Sequence, residues 1–241
     1  MAALLMAPGQ VPGAATFVAR GIRKAFRRGQ QVVPVLDVPL FELARASTVG
    51  LSGPSGSGKS TLLNVFAGIL QADAGEVLVG GASQTALAPA ERDRFRARHI
   101  GYVFQTFNLL PPLSAVENVM VPMAFCTVIS RGERRERAMN LLAQVGLATR
   151  ADRLPAELSY GEQQRVGIAR AFANQPRLVL ADEPTASLEP GLKHRIAELL
   201  VQCCASVGAS LLVASHDEAV LGHMQRVERM ERINRRAGGM E

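Results

Sequence analysis

Tryptophan is absent from the 241 residues, and tyrosine occurs only at Tyr102 and Tyr160. Proteins that grip single-stranded nucleic acid stack its bases on aromatic side chains among basic ones. Here the net charge of +6 comes without such a stripe. The basic balance therefore reads as a solvated surface, one suited to anionic lipid headgroups, and no nucleic-acid partner is expected. Cysteine is scarce too. Cys126, Cys203 and Cys204 lack metal-ligand spacing, and their odd count argues against a disulfide framework, as in a reducing cytoplasm. No apolar run approaches the roughly 18 residues of a membrane-spanning helix, so a membrane role must come through a partner. The start, Met1 to Ala7, is apolar but lacks a basic leader region and is broken by Pro8-Gly9 and Pro12-Gly13. Residues 1–15 are thus expected to be a disordered leader rather than a signal peptide. No internal repeat is present.

What is there centres on Gly53-Pro54-Ser55-Gly56-Ser57-Gly58-Lys59-Ser60-Thr61. It fits the phosphate-loop pattern G-x-x-x-x-G-K-[ST] at every fixed position. Glycines let successive N–H groups turn into one concavity, and a helix starting near Lys59 adds its positive end. Lys59 is placed to reach the β- and γ-phosphates, and the Ser60 hydroxyl to ligate Mg²⁺. Residues 46–52 read as a strand entering the loop, and Thr61 to Gly68 as a helix leaving it. A merely flexible Gly/Ser loop would not be expected to bring strand, lysine, hydroxyl and helix together.

Along the chain, Phe17–Ala19 and Val33–Val38 read as strands around a turn at Arg27-Arg28-Gly29-Gln30. Phe26, just before that turn, is either a core aromatic or a ligand contact. Glu76–Val79 is a strand, Arg92 to Arg98 a solvated basic run, and Ile100–Phe104 a strand ended by Gln105. Residues 107–157 carry helical patterns only, over 115–123 and 131–145, and read as a helical insertion. Ser159-Tyr160-Gly161-Glu162 matches a capping box and opens a helix to about Ala173. Residues 177–182 and 210–215 are continuous apolar strands, flanking a helix from Pro190 to Val207, and imply an α/β parallel sheet.

An apolar strand ending in Asp182 after a phosphate loop supplies a carboxylate for Mg²⁺ opposite Ser60. Glu183 follows, and strand alternation points it to the other side, where it can polarise a water for attack on a γ-phosphate. Gln105 and His216 each end a buried strand, where parallel sheets bind ligands. Alone, each is an ordinary loop residue.

In order, the phosphate loop, Gln105, Leu158-Ser159-Tyr160-Gly161-Glu162-Gln163-Gln164-Arg165, Leu178–Glu183 and Ser215-His216-Asp217 resemble the nucleotide-binding subunit of an ABC transporter. The resemblance covers residues 17–220. It implies a RecA-like P-loop NTPase core with an N-terminal antiparallel β subdomain and the helical insertion, over residues 16–225. It implies ATP and Mg²⁺ as ligands, a permease partner and a second copy of the chain in an ATP sandwich. It implies a peripheral location at the cytoplasmic face of the inner membrane. By resemblance, Phe26 stacks on adenine, Gln105 senses Mg²⁺ and the permease, and Ser159 and Gly161 bind the γ-phosphate held by the opposite copy. Glu183 resembles the catalytic base and His216 the switch histidine. The stretch from Ile100 to Pro111 and Leu113 to Val119 is similar to the lipoprotein-releasing and macrolide-exporter branch.

Three positions depart from the family pattern. Tyr160 replaces glycine and either hinders closure of the sandwich or points outward. Glu189 replaces aspartate, with an extra methylene at a dimer contact. The stretch after Leu221 is arginine-rich and is expected to lack the usual strand, leaving 226–241 as a basic tail. The alternative function is a regulatory ATPase on a non-transporting permease-like partner. An ABC protein acting on DNA or ribosomes usually carries two nucleotide domains or long insertions, and a small-molecule kinase would not carry Ser159–Arg165 together with His216.

Overall fold

The computed structural model describes residues 15–126 and 129–237. The expected leader falls outside these, except for Ala15. Ala15 opens β1 (Ala15–Arg28), which folds back on β2 (Gln31–Ala44) through a turn at Gly29-Gln30. Both strands are far longer than the expected 17–19 and 33–38, and much of each is exposed, with Arg20, Arg23, Arg27 and Arg28 on β1 and Val32, Val33 and Leu40 on β2. The register shift between Lys24 and Ala25 re-aims side chains near the hairpin end. Next come β3 (Thr48–Ser52), α1 (Lys59–Phe66), β4 (Ala74–Val79) and β5 (Ala82–Ser83). They are followed by α2 (Pro89–His99) and β6 (Ile100–Val103). The basic run expected to be solvated is a helix, α2, with no buried residue. It lacks the apolar periodicity that reveals a helix in sequence.

The insertion holds α3 (Ala115–Ala124) and α4 (Arg134–Gln144). Then follow α5 (Tyr160–Ala171), β7 (Leu178–Asp182), α6 (Pro190–Val207), β8 (Ser210–Ala214) and α7 (Glu218–Leu221). The expected strandless tail is corrected. Arg226–Arg229 forms β9, which pairs in parallel with β3, and Met230–Ile233 forms a short helix, α8.

Two sheets result. One is antiparallel, in the order β2-β1-β4-β5. The other is parallel, in the order β6-β7-β8-β3-β9. Strand alternation sorts the parallel sheet into two cores. Leu178, Leu180, Leu212, Val49 and Leu51 face α1 and the antiparallel sheet, where Phe66 packs on Phe17 with centroids 4.6 Å apart. Val179, Ala181, Leu211 and Val213 face the helical layer with Val116, Leu142 and Val166. At Gly101 a Cβ would fall 2.3 Å from Ala171 O, so only glycine lets α5 lie this close to β6. All five parallel strands run the same way. The C-terminal ends of β3, β6, β7 and β8 therefore open on one edge, where the sequence places the phosphate loop, Gln105, Asp182 and His216.

Candidate functional site

A cavity of about 690 Å³ opens at that edge, lined by Gly53–Gly56, Gly58–Thr61, Gln105, Glu183, His216, Val35 and Ala186. Gly53 and His216, 163 positions apart in sequence, thus share one wall, because every lining residue except Val35 of β2 ends or follows a parallel strand.

The loop keeps its shape through glycine. Gly56 and Gly58 sit at φ +80° and +95°, in the left-handed region. Gly58 is also the N-cap of α1, so the helix N-terminus meets the cavity at Lys59. Lys59 is buried, and its ammonium donates to Gly53 O at 2.7 Å and Pro54 O at 3.2 Å. It is held across the loop rather than free in solvent.

Asp182, 9 % exposed, ends β7. Burial pushes its carboxyl above the ordinary aspartate range and nearby Glu183 adds to the shift, against the pull of the Ser60 hydroxyl and the Lys59 ammonium. Its Oδ1 is buried without a hydrogen-bond partner among the described residues. A buried, unpartnered carboxylate oxygen beside a serine hydroxyl is an oxygen donor set of the kind Mg²⁺ takes. The residues present fit the ion.

Strand alternation does not govern Glu183. The strand stops at Asp182, and Glu183 turns at φ +44°, a conformation that non-glycine residues seldom adopt. Its N–H still bonds Ala214 O at 2.9 Å. The turn brings the carboxylate into the cavity wall, with Oε1 3.0 Å from His216 Nδ1. Ser215 Oγ donates to Oε2 at 3.4 Å. A carboxylate held by a histidine next to the lysine and serine of a phosphate loop can orient a water toward a terminal phosphate.

Ser57 and Asp182 are buried and do not line the cavity, and three further expected residues lie elsewhere. Ser159 and Gly161 border a separate cavity of about 340 Å³ with Arg165, Leu192 and Arg195. Ser159 N-caps α5, with its hydroxyl accepting from Glu162 N and donating to Glu162 Oε2. Phe26 is 42 % exposed and lies 5.7 Å from Lys24 Nζ, outside the cavity lining, while Val35 of the facing strand is in it. Tyr160 points outward at 68 % exposure, its ring 5.9 Å from that of Phe107. Glu189 N-caps α6 without a side-chain cap bond.

Sequence reasoning missed the residues that hold these parts together. Arg170 of α5 donates to the carbonyls of Phe107 and Asn108, just past Gln105. Gln164, fully buried, donates to Pro184 O at 2.7 Å, just past Glu183. Both bind backbone, so no residue type elsewhere announces them.

The "ABC transporter" family profile matches residues 36–186. The lipoprotein-releasing system ATP-binding protein LolD of Paramagnetospirillum magneticum is 43 % identical over 209 residues, covering 87 % of this chain and 92 % of that protein. The macrolide export ATP-binding/permease protein MacB of Rhodopirellula baltica is 42 % identical over 212 residues, covering 88 % of this chain and 31 % of that protein. A solved ATP-binding cassette, dimeric and bound to ADP and Pi in a post-hydrolysis state, superposes with a TM-score of 0.81 at 35 % identity, over 88 % of this chain and 93 % of that one. With a phosphate loop, a buried aspartate and a Glu–His pair on one edge of an α/β P-loop sheet, the chain belongs to the ABC transporter family.

Proposed function

We propose that this chain is the ATP-hydrolysing subunit of a membrane transporter of the exporter or mechanotransmission type, powering a separate permease. Two copies face each other, and Ser159 and Gly161 of each complete the cavity of the other. The observation that carries this is the divided site. The cavity brings Lys59, Ser60, Gln105, Glu183 and His216 together, whereas Ser159 and Gly161 border another. A likeness to a dimeric cassette supports the same arrangement.

The loop N–H groups and Lys59 bind the phosphates of ATP, and Phe26 takes the adenine. Ser60 and Asp182 hold Mg²⁺, with Gln105 beside them, and the ion supplies charge neutralisation at the phosphates. Glu183 orients the attacking water and takes up its proton. His216 fixes the Glu183 carboxylate on one side. Such general-base assistance contributes roughly 10²- to 10⁴-fold.

The permease docks in a groove of about 510 Å³ between α2, β6, α3 and α5. Its walls include Ile69, Phe104 and Phe125, and Phe125 is 68 % exposed. Phe104 precedes Gln105, so an occupant pressing here moves a residue one position from the cavity. Docked in this way, the chain sits peripherally at the cytoplasmic face of the membrane. No helix among the described residues is long and apolar enough to cross a membrane. Glu183→Gln tests the chemistry: steady-state ATPase should fall at least about 10²-fold while ATP stays bound. Turnover within about threefold of wild type would remove Glu183 from the role of base.

A further inference from the structure

Asn234 lies just past α8, in the arginine-rich stretch beyond the 36–186 family match, and is 1 % exposed. Its Oδ1 accepts from Asp37 N at 2.8 Å and Arg236 N at 3.2 Å. Its Nδ2 donates to Val35 O at 2.9 Å and Ser57 O at 3.3 Å. An asparagine amide has two hydrogens and two acceptor lone pairs, so these four bonds saturate it. Except for Arg236, the partners are 177 to 199 positions away, on β2 and in the phosphate loop. Met230, four residues earlier and fully buried, seats the other end of the loop, since a Cβ on Gly53 would come 3.0 Å from its own.

The bond to Ser57 O has a directional consequence. In a planar trans peptide the C=O and the following N–H point opposite ways. The chain has no cis bond among the described residues. Holding Ser57 O toward Asn234 therefore aims Gly58 N–H away from it. Gly58 lines the cavity, and as a glycine at φ +95° its own conformational preference does not fix that plane. The same amide holds the carbonyl of Val35, which also lines the cavity.

We propose that Asn234 is a positioning residue for nucleotide binding: by holding Ser57 O and Val35 O from behind the loop, it orients the Gly58 N–H toward bound phosphate. This rests on reading the cavity as an ATP site. The C-terminal segment thereby becomes part of that site without touching the ligand. Its effect is on affinity, because none of Gln105, Glu183 or His216 bonds to it.

The test titrates the full chain with a fluorescent ribose-labelled ADP and Mg²⁺, alongside thermal unfolding and steady-state ATPase. Asn234→Ala removes all four bonds. Asn234→Asp keeps the two acceptor bonds and loses the donations to Ser57 and Val35, so it carries the comparison if the alanine variant does not fold. Val116→Ala, a truncation in the helical core, controls for lost stability. The expected result is a Kd raised about tenfold in both Asn234 variants, as for loss of one or two hydrogen bonds. Val116→Ala keeps the wild-type Kd despite a lower Tm, and kcat at saturating ATP stays within about threefold in all. Nucleotide affinity within about twofold of wild type in Asn234→Asp overturns the proposal. So does a Kd that rises for Val116→Ala in step with its Tm. A wild-type chain that binds no nucleotide, or binds it equally well as Lys59→Ala, overturns the ATP-site reading itself.

Discussion

Replacing Asp182 by asparagine should make the ligand-free protein more stable and its Mg²⁺-nucleotide complex weaker. The carboxylate is 9 % exposed and one oxygen lacks a partner among the described residues. Leaving such a group unsatisfied costs about 1–3 kcal/mol, and a neutral amide of the same shape recovers part of that, on the order of 1 kcal/mol. For a chain of this size the gain corresponds to a Tm increase of about 2–4 °C. Its pH dependence has a definite sign. Burial raises the folded-state pKa of Asp182, so the folded chain binds the proton more tightly than the unfolded one. The native carboxylate thus costs least stability below the unfolded value of about 3.9, and the cost grows as pH rises through the raised folded value. The advantage of Asp182→Asn should be larger at pH 7.5 than at pH 4. The assay is thermal unfolding of both proteins across that range, without ligand and then with ATP and Mg²⁺. Ligand should lift the wild-type Tm more with Mg²⁺ than without, and the variant equally in both. A variant less stable than wild type at pH 7.5 without ligand, or one that keeps the full Mg²⁺ increment, would refute the reasoning.

Two further outcomes follow from the same geometry. Ser159→Ala removes the capping-box hydroxyl of α5 and should cost about 1 kcal/mol, read as a Tm lower by about 2–4 °C without nucleotide; an unchanged Tm would mean the cap is not holding the helix. Phe125→Asp should abolish stimulation of ATPase by the permease while leaving basal turnover within about twofold, since the groove is apolar and burying a charge there is costly; stimulation at the wild-type level would move the docking surface elsewhere.

The parts of the site that were legible in the sequence are those whose signal is local. The phosphate loop is nine consecutive residues, and the buried strands before Asp182 and His216 are continuous apolar runs. Buried strands that all end on one edge made the meeting of Gln105, Glu183 and His216 foreseeable. Other features are set by partners distant in sequence. Arg-Val-Glu-Arg in β9 has one apolar residue and exposed arginines at both ends, because it is the sheet edge, and edge strands need little hydrophobic alternation. α2 has no fully buried residue and only Phe95 packed on the core, so no periodicity marks it. The left-handed turn that ends the strand at Glu183 is not announced by anything in an Asp-Glu-Pro sequence. Asn234, Arg170 and Gln164 bind carbonyls, which every residue carries, so their partners leave no trace in composition or spacing.

The central claim is that the phosphate loop is half of a site completed by Ser159 and Gly161 of a second copy. The most direct test is the mass of Glu183→Gln by sedimentation, with ATP and Mg²⁺ and without. A dimer with ATP, a monomer without it, and a monomer again once Gly161→Asp is added would agree with the account. A Glu183→Gln chain that binds ATP stoichiometrically yet stays monomeric at every concentration would contradict it.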